Sequence, residues 1–240
     1  MSYKEVQCSS WNEFKSKIVH DLFPNGRFKK GRFLFRGQGD ASWALSPSFD
    51  RWYKGTLKDK VKTSDALLEQ FKKECELEQL SDDIRKSDIN MLSLGQNFGL
   101  PTRLLDWSES PYVSAFFAFS SHLTRNHENN EKVAIWVIDV EDPIWDKDHG
   151  CEIVNVPSFD NERIKNQHGK FTYLRSTKSS IEDYVAEFNG EGYLVKYLIP
   201  ADDAVKALAE LDAMGLSFSR IYPGITGNAM SAEVRVLVNL

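Results

Sequence analysis

At 240 residues, 41% hydrophobic and 27% charged, the chain can bury a sizeable core, and its composition excludes the low-hydrophobicity signature of a disordered protein. A net charge of −5 excludes a general nucleic-acid coat, whose affinity needs clustered Lys and Arg, but leaves room for a local basic site. Cys8, Cys75 and Cys151 form no C-x-x-C pair, and His20, His122, His127, His149 and His168 have no ligand spacing, so neither a disulfide framework nor a metal site is expected.

In chain order, Trp11, Phe14, Ile18 and Val19 recur at helical spacing behind Ser9 or Ser10 as N-cap, which predicts a first helix. Phe23-Pro-Asn-Gly26 is turn chemistry, and Arg32-Phe-Leu-Phe35 reads as a short buried strand stopped by Gly37 and Gly39, with Arg36 at its end. Leu67, Leu68, Phe71, Cys75 and Leu80 mark an amphipathic helix over 64–80, and 88–98 predicts another. Gly99 to Trp107 reads as an irregular loop. Ser110 can cap a helix with Pro111 at its first position, and the apolar run to Phe119 makes that helix central. Lys132 to Asp139 and Gly192 to Pro200 are the clearest strands. Ala204 to Met214 is an amphipathic helix ended by Gly215, and Ala232 to Val238 predicts a closing strand. Helices first and strands later give an α+β fold: one domain over 1–240, a helical N-terminal part packed on a mixed, mostly antiparallel sheet. The stretches 126–131 and 145–150 are expected exposed loops. There is no run of roughly 18 apolar residues, and Met1-Ser-Tyr-Lys-Glu5 lacks a leader pattern, so the expectation is a cytoplasmic protein without membrane contact.

Two places carry residues that packing does not require. Arg36 can present its planar fork to a phosphate or carboxylate, with Gly37 and Gly39 letting the backbone approach a ligand; it can equally pair with Asp40 or Asp106 inside the protein. Thr102, Arg103, Asp106 and Ser108 lie close before the buried helix, where free N–H groups favour an anion; alternatively Arg103 and Asp106 pair and Ser108 or Ser110 only caps. Two locally basic stretches, Arg27 to Arg36 and Arg163 to Lys178, are either solvated charge or contacts for phosphates.

The pieces Phe35-Arg-Gly-Gln38, Trp43-x-Leu-x-Pro-Ser48, Gln96-x-x-Gly-Leu-Pro-Thr-Arg-Leu-Leu-Asp-Trp107, Ala115-x-x-Ala118 and Arg163-x-x-x-Gln-x-Gly-x-Phe-Thr172 together resemble the FRG domain family over about residues 30–230. The chain departs from the family in having Asn97 where many members carry histidine, and Ile221-Tyr-Pro223 in place of Leu-Phe-Pro. More distantly, Phe35-Arg-Gly37 and Ser108 to Ala118 resemble the first strand and following helix of the ADP-ribosyltransferase superfamily, although its Ser-Thr-Ser strand reads Asp106-Trp107-Ser108 here. That resemblance implies an ADP-ribosyltransferase-like core and an enzyme using NAD as substrate. Arg36, Asp106 and Glu233 would be catalytic, and Arg36, Gly37, Gln38, Arg103, Trp107 and Ser108 would hold NAD. Trp107 or an aromatic from Phe116 to Phe119 would stack on nicotinamide. Arg163, Gln167, Lys170 and Arg175 would contact the acceptor, nucleic acid (RNA favoured) or protein. It further implies a toxin-like effector in anti-phage defence or a toxin–antitoxin pair, restrained by a neutralising antitoxin or chaperone partner. The alternative is a non-enzymatic module that senses a nucleotide or phosphate.

Overall fold

The computed structural model describes residues 3–22, 27, 29–125, 131–156, 170–188 and 192–239. The first half of the chain runs β1 (Lys4–Gln7), α1 (Trp11–Leu22), β2 (Phe33–Gln38), α2 (Ser48–Trp52), α3 (Lys60–Glu74), α4 (Asp82–Arg85), α5 (Asp88–Asn97), β3 (Leu104–Trp107) and α6 (Pro111–Thr124). The second half runs β4 (Lys132–Asp139), β5 (Cys151–Asn155), β6 (Lys170–Leu174), α7 (Ile181–Val185), β7 (Val195–Pro200), α8 (Ala204–Ala213), α9 (Phe218–Ile221) and α10 (Ile225–Leu237).

The fold is α+β, with a four-stranded sheet in the order β1-β7-β4-β2 and a three-stranded sheet in the order β3-β6-β5. Among the described strand pairs only β1–β7 is parallel. β4 is buried on both faces by the two-residue period of a strand. Val133, Ile135 and Val137 enter a core with α1, α6 and α8, while Ala134, Trp136 and Ile138 enter a second core with Leu105, Trp107 and Leu174 of the smaller sheet. A third core lies beneath α3 and α5, where Leu68, Met91 and Leu92 meet Leu104, Phe171 and Tyr173. A backbone bridge also joins the two sheets: Phe35 and Ser108 each donate an N–H to the other's carbonyl at 2.8 Å.

The helix after Ser110 forms as expected: the Ser110 hydroxyl accepts the Val113 N–H and Pro111 stands at the first turn. It lies hard against β2. A Cβ on Gly37 would come 1.9 Å from the Ser114 carbonyl oxygen, so this glycine serves helix–strand contact. Gly37→Ala is therefore expected to destabilise the protein by at least about 2 kcal/mol, because backbone and not a flexible side chain must give way. Chemical denaturation checks this, and a loss below about 0.5 kcal/mol would contradict the close packing.

Several expectations need correction. Strands are interleaved with helices from Lys4 onward. The segment read as a loop contains β3, and Arg36 lies within β2, where it pairs with Trp136. The expected closing strand is part of the helix α10. Val234-x-Val236-x-Val238 imitates a strand, but the chain buries Gly227, Ser231, Val234 and Val238, at helical spacing, and leaves Val236 76% exposed. The strand expected from Gly192 begins at Val195. Most of the loop expected over 126–131 lies outside the described residues. No helix among the described residues is long and apolar enough to cross a membrane.

Candidate functional site

Beyond the Phe35–Ser108 bridge β2 and β3 part, and Arg36 fills the angle between them. Ser108 turns its backbone groups toward β2, so strand alternation turns those of Asp106 the same way, where β2 no longer supplies a partner. Arg36 supplies it: Nη1 donates to the Asp106 carbonyl at 2.7 Å and stands 3.5 Å from Asp106 Oδ2. Its Nε is buried with no hydrogen-bond partner among the described residues.

Asp106 is held from its other side by Gln96, whose carboxamide NH2 donates to Oδ1. The orientation of that carboxamide is set by Thr102, whose hydroxyl donates to Gln96 Oε1 and accepts the Leu104 N–H at 3.3 Å. Gln96, Thr102 and Asp106 thus form one chain of contacts ending at Arg36. Their spacing in the sequence follows from it: the helix α5 delivers Gln96, the turn delivers Thr102, and β3 delivers Asp106.

Arg36 and Asp106 border a cavity of about 660 Å³ into which Arg51 and Arg125 also reach, and whose described lining contains a single carboxylate, Asp106. Arg51 donates to the Ser46 carbonyl. Crowding by protein around its head group, followed by the positive charges of Arg36 and Arg125, lowers its pKa, although the residue keeps solvent access. Three guanidiniums around an open space, with Arg36 and Arg125 both acting on Arg51, favour an anion there. Trp43 and Tyr222, both half-buried, add aromatic surface. A second cavity of about 500 Å³ shares Asp106, Phe117, Ser121, Arg125 and Tyr222 with the first. The two are lobes of one cleft, with Asp106 at their junction.

Residues 31–127 match the family model of the FRG domain. Every residue just placed around Arg36 and Asp106, except Tyr222, lies inside that segment. No curated protein and no solved structure matches the chain.

Of the residues singled out from the sequence, Arg36, Gly37, Gln38, Asp106, Trp107 and Ser108 all line the first lobe. Gln38 is pinned within the fold, donating to the Ala44 carbonyl at 3.1 Å and accepting the Trp136 indole N–H at 2.6 Å. Trp107 is 2% exposed and donates its indole N–H to Thr172 Oγ1 at 2.9 Å; Phe116 and Phe119 are core residues. Apart from Trp107 and the buried Phe35, the rings that line the first lobe are Trp43, Tyr222 and Phe117, all half-buried.

Arg103 is elsewhere. It is 1% exposed, paired with Asp50 at 3.3 Å and donating to the carbonyls of Ser176 at 2.5 Å and Lys178 at 2.8 Å. It pins the turn before β3, and its carboxylate is Asp50, not Asp106. Glu233 is exposed on α10 and lines neither lobe. Lys170 stands 3.6 Å from Glu109, and Arg175 lies over the Tyr173 ring and donates to Glu152 at 2.6 Å; neither lines the cleft. In the first basic stretch Arg32 and Lys29 are matched by Asp139 and Glu141. Arg163, Gln167 and His168 lie outside the described residues.

Sequence reasoning passed over Arg51 and Arg125. Arg125 had a legible signal: Ser114, Phe117, Ser121 and Arg125 recur every three or four residues, the stripe that one face of α6 turns to the cleft. Arg51 had none beyond its position in α2, close after the motif piece ending at Ser48. No group of three or more His, Cys, Asp or Glu able to hold a metal ion occurs among the described residues.

Proposed function

We propose that the cleft binds NAD through its diphosphate and that the chain transfers ADP-ribose, with Asp106 as the carboxylate at the reacting centre. One observation carries the proposal: Arg36, Arg51 and Arg125 face a cavity whose described lining holds a single acidic side chain. Arg103 and Arg32, by contrast, are each matched by a carboxylate, Asp50 and Asp139. An unbalanced trio, one member with an open buried Nε, suits an anion with several oxygens, and a diphosphate supplies both the charge and the acceptors. Trp43 and Tyr222 offer faces for a planar ring.

In such a transfer the bond between ribose C1′ and nicotinamide breaks, with the electron pair leaving on nicotinamide. The acceptor's nucleophilic atom bonds to C1′, and its proton passes to a base. Asp106, oriented by Gln96 and standing at the junction of the lobes, is placed for that proton or for a ribose hydroxyl. Glu233 has no part in this scheme. The setting of a toxin-like effector in the cytosol, in anti-phage defence or a toxin–antitoxin pair with a neutralising partner, is proposed on the superfamily resemblance alone.

Glu233 outside the cleft favours a second reading, a non-enzymatic module that recognises a phosphorylated nucleotide. The two part at Asp106→Asn. The purified chain is incubated with labelled NAD and cell extract, then divided between nuclease and protease treatment. Transfer by the native chain, lost in Asp106→Asn while NAD binding persists, supports the transferase; binding without transfer or NAD turnover in the native chain establishes the module.

Gln96 gives a finer expectation. Gln96→Leu removes the donor that orients Asp106 and is expected to lower kcat about ten- to hundredfold, with KM nearly unchanged. Steady-state kinetics decide it; a rise in KM alone would make Gln96 a ligand contact.

A further inference from the structure

The two lobes are built from different parts of the chain, and we propose that the second is an acceptor subsite that takes a base of a single-stranded nucleic acid. This rests on the transfer reaction proposed above. Apart from Tyr222, the first lobe is lined within 31–127, whereas Phe171, Phe218, Tyr222, Thr226 and Met230 bring a wall of the second lobe from outside that segment. A ligand bound by the FRG segment itself belongs in the first lobe. Contacts that select a partner of this particular chain belong in the second.

The chemistry of the second lobe selects the partner class. Its described lining has one carboxylate, Asp106, and one guanidinium, Arg125, so it carries no net charge to draw a lysine or arginine acceptor. A nucleotide meets complementary groups. Phe117 and Tyr222 are half-buried rings with centroids 6.0 Å apart, and Phe171 and Phe218 form a buried floor. Asn97 and Thr226 are exposed lining residues able to donate to and accept from a base edge. Adjacent to them in the chain are Ile225, 87% exposed, and Phe98, 81% exposed, an aromatic face of the kind on which a neighbouring base stacks. Arg125, shared by both lobes, can meet a strand phosphate.

An amine or hydroxyl of the seated nucleotide then attacks C1′ from the Asp106 side. The C1′–nicotinamide bond breaks with its electron pair leaving on nicotinamide, and the attacking atom's proton passes to the Asp106 carboxylate.

The test uses the full chain, with Thr226→Trp to fill the lobe and Phe98→Ala to remove an exposed ring without touching the core. Binding of a ten-nucleotide mixed-sequence RNA, of the DNA of the same sequence, and of NAD is measured separately by titration. The native chain is expected to bind one or both strands, with RNA against DNA naming the source of the base. Thr226→Trp should weaken strand binding at least about tenfold and Phe98→Ala by a similar factor, both leaving NAD affinity within about twofold. The inference is overturned if neither strand binds, if the variants bind strands like the native chain, if Thr226→Trp abolishes NAD binding so that one ligand fills both lobes, or if label passes only to protein. Strand binding lost in Thr226→Trp while the native chain ignores NAD would keep the base site and remove the transferase.

Discussion

Replacing Asp50 by alanine is expected to lower the stability of the chain by about 3–5 kcal/mol, the range for breaking a buried ion pair from one side. The Asp50 carboxylate is completely buried and serves two cations at once, Arg103 at 3.3 Å and Lys60 at 2.9 Å, both nearly inaccessible to water. The cations are also tied to the chain around 176–179: Arg103 donates to the Ser176 and Lys178 carbonyls, and Lys60 to Ser179 Oγ at 2.7 Å. Removing the carboxylate leaves two charges that neither water nor another acid can meet. The cluster joins α2, α3, the turn before β3 and the segment leading to α7, so its loss should be felt as a global drop in the denaturation midpoint. Replacing Asp50, Arg103 and Lys60 together by apolar residues should recover much of the loss, since a buried charge cluster is often no more stabilising than a packed apolar one. A loss below about 1 kcal/mol in the single variant would mean that water reaches the site.

Arg36→Ala has the opposite profile. Its contact with the Asp106 carbonyl is a partly solvated bond whose loss should cost about 1 kcal/mol of stability or slightly more. The larger effect should be functional: if the cleft holds the NAD diphosphate as proposed, losing this guanidinium should lower NAD affinity or transfer about a hundredfold. Arg36→Lys keeps the charge but not the fork that meets both Asp106 and a phosphate oxygen, and should restore only part of the loss. Denaturation and titration of the same preparations separate the two quantities. Equal losses of folding and binding would make Arg36 a structural residue.

The parts of the fold carried by local rules were legible in the sequence. The Ser110-Pro111 cap, the apolar run of α6, the double-sided strand 132–139 and the Gly215 stop of α8 each follow from a rule that acts within a few residues. What was illegible depended on partners distant in the chain. The short strands β1 and β5 have too few residues to show a period, and α10 hides its helical burial behind alternating valines. Arg36 and Asp106 were identified because they sit in a motif, and the structure brings them to one cleft. Arg103, from the same motif, goes into the interior because Asp50, fifty-three positions earlier, meets it there; no local pattern pairs those two. Arg51 and Arg125 become functional candidates only when α2 and the end of α6 are seen to open on one cavity.

The measurement that most directly tests the arginine cleft is a calorimetric titration of the full chain with NAD and with nicotinamide riboside, which lacks the diphosphate, alongside the Arg36→Ala variant. The expected result is binding of NAD by the native chain, no detectable binding of the riboside, and about a hundredfold weaker NAD binding by the variant. Comparable binding of NAD and riboside, or an Arg36→Ala affinity equal to that of the native chain, would contradict a diphosphate site built on these guanidiniums.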